Sequence, residues 1–465
     1  MLERTRASAA CGMRCGFRAA RPAGSAAEDA RRLDELRRAR AQALRAELRA
    51  PAQMLSDVEV LAERGEVFFE GLVRDYPQLF ARTPDYRCDD LAGAERPADL
   101  LVYFAGPHAL HVFTLTPGAA CWDRTADGAR VAREARFFAA CLESQSADSL
   151  AQLPLGRSLA AALVPRHAAL RAAGALRIVA SGFVDQVPFD ALPDGDGQLI
   201  VHHHATSRIP SLTVLGELAN LGRLASGPVV VCEMPRIDAA VLDRFGIVPL
   251  LRRARPFLIA AQEIASEALS LERFLGLGRY APCLVHLTTH GVIDADSGLP
   301  VLWLAGEQGA LVPEDLATTR FERSVIVLQS CRSAHGLDLG GEGQVDFEKA
   351  FLGAGCLAVV DSHQPMSLKW SDRLFTAFYD ALAHGHDLAE SMRQARLSLI
   401  GSDASEPASA WAFPRVVGAG ETEVSLPRRP AIAPLLMLAA SACAVAAWWS
   451  ATRRRAGAQP ERGWR

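Results

Sequence analysis

Residues 284–291 read LVHLTTHG and residues 325–331 read VIVLQSC. Each is a short, almost unbroken apolar run that ends in reactive residues, His290 with Gly291 in the first and Ser330 with Cys331 in the second. Runs of this kind are expected of strands buried on both faces of a parallel sheet. Similar runs surround them, at 176–180 (LRIVA), 229–232 (VVVC) and 357–361 (LAVVD). Helical stretches between them, including 257–274 and 347–352, predict an α/β fold with a doubly wound sheet. Upstream, residues 100–105 and 109–116 flank Gly106 and Pro107 and read as a hairpin. Downstream, Asp387 with Glu390 makes a capping-box-like start and Gly401 a stop for a helix over 388–400.

Chemistry in such sheets gathers beyond the carboxyl ends of the strands. A thiol there needs a neighbouring base to become a nucleophile, and a histidine on the adjacent strand end supplies one and later protonates a leaving amine. Gly291 permits close approach of a substrate carbonyl, and the backbone N–H groups of Gly291 and Cys331 are the candidate oxyanion donors. With 10 cysteines and 12 histidines in the chain, spacing alone does not single out Cys331 and His290. His286 lies four residues before His290, about 13 Å along a strand, too far for two ligands of one metal ion, and reads as a core histidine. The run His202 to His204 reads as a loop cluster, His335 and His363 as cleft-lining candidates, and Cys232, Cys283 and Cys356 as packing thiols.

The segment 285–360 resembles the core of a CHAT domain, a bacterial branch of the caspase-like and separase-like cysteine peptidases. The likeness lies in order as well as content: a strand ending in His-Gly, a short hairpin with LVPEDL, a strand ending in Ser-Cys, a loop with Gly341, Glu342 and Gly343, and a helix closing on Gly353, Ala354 and Gly355. Flanking stretches extend it to about residues 97–418. The resemblance implies a caspase-hemoglobinase-like fold, with His290 as catalytic histidine, Cys331 as nucleophile and no cofactor or metal. It also implies an effector role in bacterial defence or signalling, acting on a protein substrate under an activating protein partner. Two departures stand out: Ser330 where the family usually has Ala, and DSHQPMSLKW (361–370) where it often has a Leu-Trp pair. Specificity in this fold depends on a charge in the substrate pocket. Asp185, Asp190 and Asp361 are acidic candidates and Arg208 and Arg332 basic ones, with an acidic pocket the expectation. The alternative of another class is a silent scaffold of the same fold that recruits a partner to the membrane.

The chain has 465 residues, a net charge of −3 and 50% apolar residues, which excludes a collagenous, a wholly disordered or a disulfide-dense secreted chain. Residues 1–50 carry net +6 and 453–465 net +4, leaving −13 for 51–452, so no nucleic-acid partner is expected for the core. Residues 431–451 (AIAPLLMLAASACAVAAWWSA) contain no charge and as a helix span about 31 Å, enough to cross a bilayer core of about 30 Å. Trp448, Trp449 and the flanking arginines fit interfacial anchors. The first 25 residues show no apolar secretory signal. The expectation is therefore a single-pass C-terminal anchor in the inner membrane with the catalytic domain in the cytoplasm. The domain order expected is an Arg/Ala-rich segment (1–50, helical from about 26), a helical lead-in (51–96), the peptidase domain (97–418), a linker (419–430), the anchor (431–451) and a basic tail (452–465).

Overall fold

The computed structural model of the chain describes residues 99–426 except 106–108, 117–118, 126, 165–173, 181, 195, 234–260, 265–267, 295–298, 306–308, 332, 334–336, 339–343 and 403–406. The expected N-terminal segment, helical lead-in, anchor and basic tail, together with Arg332 and His335, lie outside the described residues. Among the described residues no helix is long and apolar enough to cross a membrane.

One 11-stranded sheet organises the chain. Its edge is an antiparallel meander of β1 (Asp99–Ala105), β2 (Leu110–Thr116) and β3 (Ala119–Thr125). Beside β1 run β4 (Gly174–Val179), β5 (His204–Ile209) and β16 (Pro414–Gly418), all parallel to it. A second parallel block follows, of β15 (Ala358–Ser362), β12 (Val325–Gln329), β8 (Leu284–Thr288), β6 (Val229–Glu233) and β7 (Gln262–Ile264). The expected doubly wound sheet is thus mixed, two parallel blocks of opposite direction meeting at the antiparallel pair β15 and β16. The short helix Ser409–Ala412 turns the chain so that Pro414 enters opposite Ser362, and proline suits the first residue of a strand because it has no N–H to give the ladder. After β8 a three-stranded sheet follows, β9 (Gly291–Ile293), β10 (Pro300–Trp303) and β11 (Ala310–Leu311); β13 (Leu337–Asp338) pairs with β14 (Gln344–Val345).

The central strands alternate between two cores as the pleat requires. Val325 and Val327 join one face with Phe375, Phe378 and Trp411, while Ile326 and Leu328 join the other with Phe274, Phe321 and Phe351. Each such side chain contributes about 1.5–3 kcal/mol by leaving water, which favours the apolar residues that make up most of β8, β12 and β15.

Three expectations need correction. The stretch 257–274 is not one helix: among its described residues, Gln262–Ile264 pairs with β6 and only Leu271–Gly276 is helical, started by Ser270, whose hydroxyl accepts the Arg273 N–H. β3 was not expected. Nor was β5, whose sequence HATSRI looks too polar for an interior strand, yet all six residues are buried. Two of its polar side chains find partners from elsewhere in the chain: Thr206 donates to the Asp190 carboxylate at 2.9 Å, and Arg208 Nη2 donates to the Val187 carbonyl. The helix Leu388–Ile400 has the caps foreseen, with Asp387 accepting the Glu390 N–H at 2.9 Å.

Candidate active site

β8 and β12 are parallel neighbours, with Thr288 opposite Gln329, so the residues that follow them emerge side by side. Beyond the ladder the Thr289 N–H still donates to the Gln329 carbonyl, at 3.2 Å. On its other side this strand end is pinned to β10: the Trp303 N–H donates to the His290 carbonyl at 3.0 Å, and the Thr289 hydroxyl to the Trp303 carbonyl. The His290 side chain is exposed and that of Cys331 half-buried. Gly291 lies so close to Cys331 that an added Cβ would overlap the Cys331 carbonyl oxygen. Glycine is required there by close approach. The structure therefore brings His290, Gly291 and Cys331 together from two strands.

The thiol has a further neighbour that the sequence did not single out. Met366, in the segment between β15 and the helix Leu368–Ala383, donates its N–H to Cys331 Sγ at 3.4 Å, and Sγ approaches the Met366 carbonyl at 3.7 Å. Ser330 is buried, and its hydroxyl has no hydrogen-bond partner among the described residues.

Beneath the strand ends lies a buried polar network. His286 Nδ1 is 2.8 Å from the Tyr379 hydroxyl, and Nε2 is 3.0 Å from Thr288 Oγ1 and 3.2 Å from Gln329 Oε1. Thr288 also donates to Gln329 Oε1 at 3.1 Å, and Gln329 Nε2 donates to Ser371 at 3.2 Å. All these bonds are satisfied when Nε2 carries the proton and Tyr379 donates to Nδ1. Burial pushes His286 down to about 4, against the Gln329 bond, so the ring is neutral. It is a core histidine, as expected. The network ties β8, β12 and the helix Leu368–Ala383 together just below the candidate nucleophile.

The candidate specificity charges face inward. Asp190 is buried against Arg396 at 2.6 Å. Arg208 is buried over the Phe189 ring, 4.5 Å from its centroid, and burial lowers it to about 10. Asp361 is fully buried on β15, directly across from Arg415 of β16 and 3.8 Å from its guanidinium. Arg415 also forks onto Glu348 at 2.6 and 2.8 Å and reaches Asp185 at 3.3 Å. Burial pushes the Asp361 carboxyl up, and nearby Glu348 pushes it the same way, with Arg415 opposing. Burial also works against the Asp185 anion, but Arg415, Arg208 and Lys349 together hold it down to about 2. An acidic pocket built from Asp190 or Asp361 is therefore not what the geometry presents, because each carboxyl is inside and next to an arginine. His363, once a cleft candidate, is buried as well.

A cavity that Gln364 helps to line lies in this part of the fold. Its volume is about 270 Å3, with Ala135, Ala139, Phe183 and Phe413 as apolar wall and Gln186 and Gln364 as polar wall. Arg136 and Glu143, opposite in sign, also border it. Gln364 stands two residues before Met366, and Phe413 precedes the Pro414 that pairs with Ser362. Elsewhere, Cys232, Cys283 and Cys356 are buried thiols, and burial pushes Cys232 up to about 12.

Residues 146–419 match the model of the CHAT domain family. No curated protein sequence matches the chain. Among solved structures, the chain is similar to the separase of the Saccharomyces cerevisiae separase–securin complex, at 14% identity and TM-score 0.39, over 52% of this chain and 15% of that one. It is also similar to the Arg-specific cysteine proteinase gingipain R (RgpB) of Porphyromonas gingivalis, at 10% identity and TM-score 0.38, over 54% of this chain and 64% of that one. The Drosophila initiator caspase Dronc matches at 11% identity and TM-score 0.25, over 44% and 84%. The match spans less than two thirds of the separase chain and of that gingipain chain.

Proposed function

The chain belongs to the CHAT domain family, and on that premise we propose that it is a cysteine endopeptidase with Cys331 as nucleophile and His290 as proton carrier. The observation that carries the reading is the contact of Gly291 with the Cys331 backbone, which sets the histidine and the cysteine on either side of one junction. In the proposed cycle the Cys331 sulfur attacks a peptide carbonyl and His290 protonates the departing amine. The backbone N–H groups of Gly291 and Cys331 hold the oxyanion. Water, deprotonated by His290, then hydrolyses the thioester and restores the thiol. The reaction needs no cofactor. Its test is the appearance of new protein N-termini in a lysate incubated with the purified chain.

The cavity has no excess charge, since Arg136 and Glu143 are opposite in sign, and its apolar wall supports a substrate side chain that is apolar rather than acidic or basic. Its volume of about 270 Å3 suits one side chain rather than a larger ligand. Peptides carrying Leu or Met next to the cut are expected to be cleaved at least about tenfold faster than those with Arg or Asp, the low end of what a hydrophobic pocket discriminates. A clear preference for Arg would return the acidic pocket to favour.

We further propose that residues 431–451 anchor the chain in the inner membrane with the catalytic domain in the cytoplasm, and that an activating protein docks on the helical lead-in, 51–96. The full chain is expected in the membrane pellet after alkaline carbonate washing, and a chain lacking 431–451 in the supernatant. Recovery of both in the supernatant would remove the anchor from the proposal.

A further inference from the structure

The segment after β15 is held at both ends to the strand that carries the candidate nucleophile. At one end the Ser362 N–H donates to the Ser333 hydroxyl at 3.4 Å, two residues after Cys331, and the Ser362 hydroxyl donates to the Gln364 carbonyl at 2.9 Å. At the other, Ser371 in the first turn of the helix Leu368–Ala383 accepts from Gln329, two residues before Cys331, at 3.2 Å. Between these pins Pro365 fixes its own φ and restricts Gln364 to extended backbone, and the Met366 side chain packs on the core. The strap so formed lays the Met366 peptide groups on Cys331 Sγ, N–H at 3.4 Å and carbonyl at 3.7 Å.

A thiol both donates and accepts, whereas a thiolate only accepts. Met366 offers one donor and one acceptor, a pair that only the protonated sulfur satisfies in full. Loss of the proton would leave an anion facing a carbonyl oxygen. We propose that the strap 362–367 is a latch that holds Cys331 as a resting thiol, and that displacing Met366 from Sγ is the activating step. No covalent bond changes in this step. The latch predicts that activation is a movement of this strap, whatever partner drives it.

The proposal rests on Cys331 being the nucleophile, but it is read without a substrate, so a failed cleavage assay and a failed latch are separate results. The full chain is treated with iodoacetamide at neutral pH, and the rate at each cysteine is followed by peptide mass spectrometry. Cys141, half-buried like Cys331, is the internal reference. In the unaltered chain Cys331 is expected to react no faster than Cys141; a faster reaction overturns the latch. Pro365→Gly, which frees the strap, and Ser333→Ala, which removes the hydroxyl that pins the Ser362 N–H, are each expected to speed Cys331 at least fivefold with Cys141 unchanged. Unchanged Cys331 rates in both variants also overturn it. Should one variant unfold, the buried Cys232, Cys283 and Cys356 will label too, and the other variant with the unaltered chain decides.

Discussion

Replacing Cys331 by alanine is expected to abolish the cleavage that the unaltered chain produces in a lysate, and replacing His290 by alanine to slow it by about 10²- to 10⁴-fold. The two differ for a chemical reason. Without the sulfur no thioester forms, whereas without the imidazole the sulfur is still present to attack and water serves as a poor acid. Neither change removes a fully buried side chain, since His290 is exposed and Cys331, whose sulfur meets the Met366 peptide groups, is half-buried. Thermal unfolding of both variants is therefore expected to match the unaltered chain to within a few degrees, which separates lost chemistry from lost fold. Mapping of new N-termini reads the result. Cleavage that survives both substitutions would end the dyad assignment, and none by any form, with or without a co-purified partner, would favour the silent scaffold.

Arg415→Ala is expected to carry the largest stability cost, about 3–5 kcal/mol, the range for removing one partner of a buried ion pair. Arg415 is the shared cation of Glu348, Asp185 and Asp361, and alanine leaves three inward-facing acids without it. Lysine at the same position keeps the charge but cannot fork onto both Glu348 oxygens, so Arg415→Lys is expected to fall between. Urea unfolding of the three proteins measures the series. A loss below about 1 kcal/mol for alanine would mean that the acids take up protons at little cost and that the network is dispensable. Because Asp361 closes β15, one strand over from Cys331, the same variant also tests how far the site depends on its floor.

Much of this architecture is legible in local pattern. The apolar runs of β8, β12 and β15 announce buried strands because both faces of each are covered, and that condition shows in most of their residues. The helix Leu388–Ile400 is equally legible, since its caps are local hydrogen bonds between residues three or four apart. β5 escaped because its burial depends on partners remote in sequence: Asp190 accepts from Thr206, and the Val187 carbonyl from Arg208. The helical pattern around 257–274 misled for the opposite reason, since its described part from Gln262 to Ile264 owes its strand form to pairing with β6 rather than to its own periodicity.

The sequence by itself determined which strands end in His290 and Cys331, and that glycine follows the histidine. Periodicity and order are properties of neighbouring residues, and they survive without coordinates. Only the tertiary structure decided which candidate charges are buried and what touches the thiol. Asp361 and Arg415 meet because β16 enters the sheet antiparallel to β15, and Met366 reaches Cys331 because a strap is pinned at Ser362 and Ser371. Such contacts join residues tens of positions apart through strand order and register, and neither is written in the spacing of any single segment.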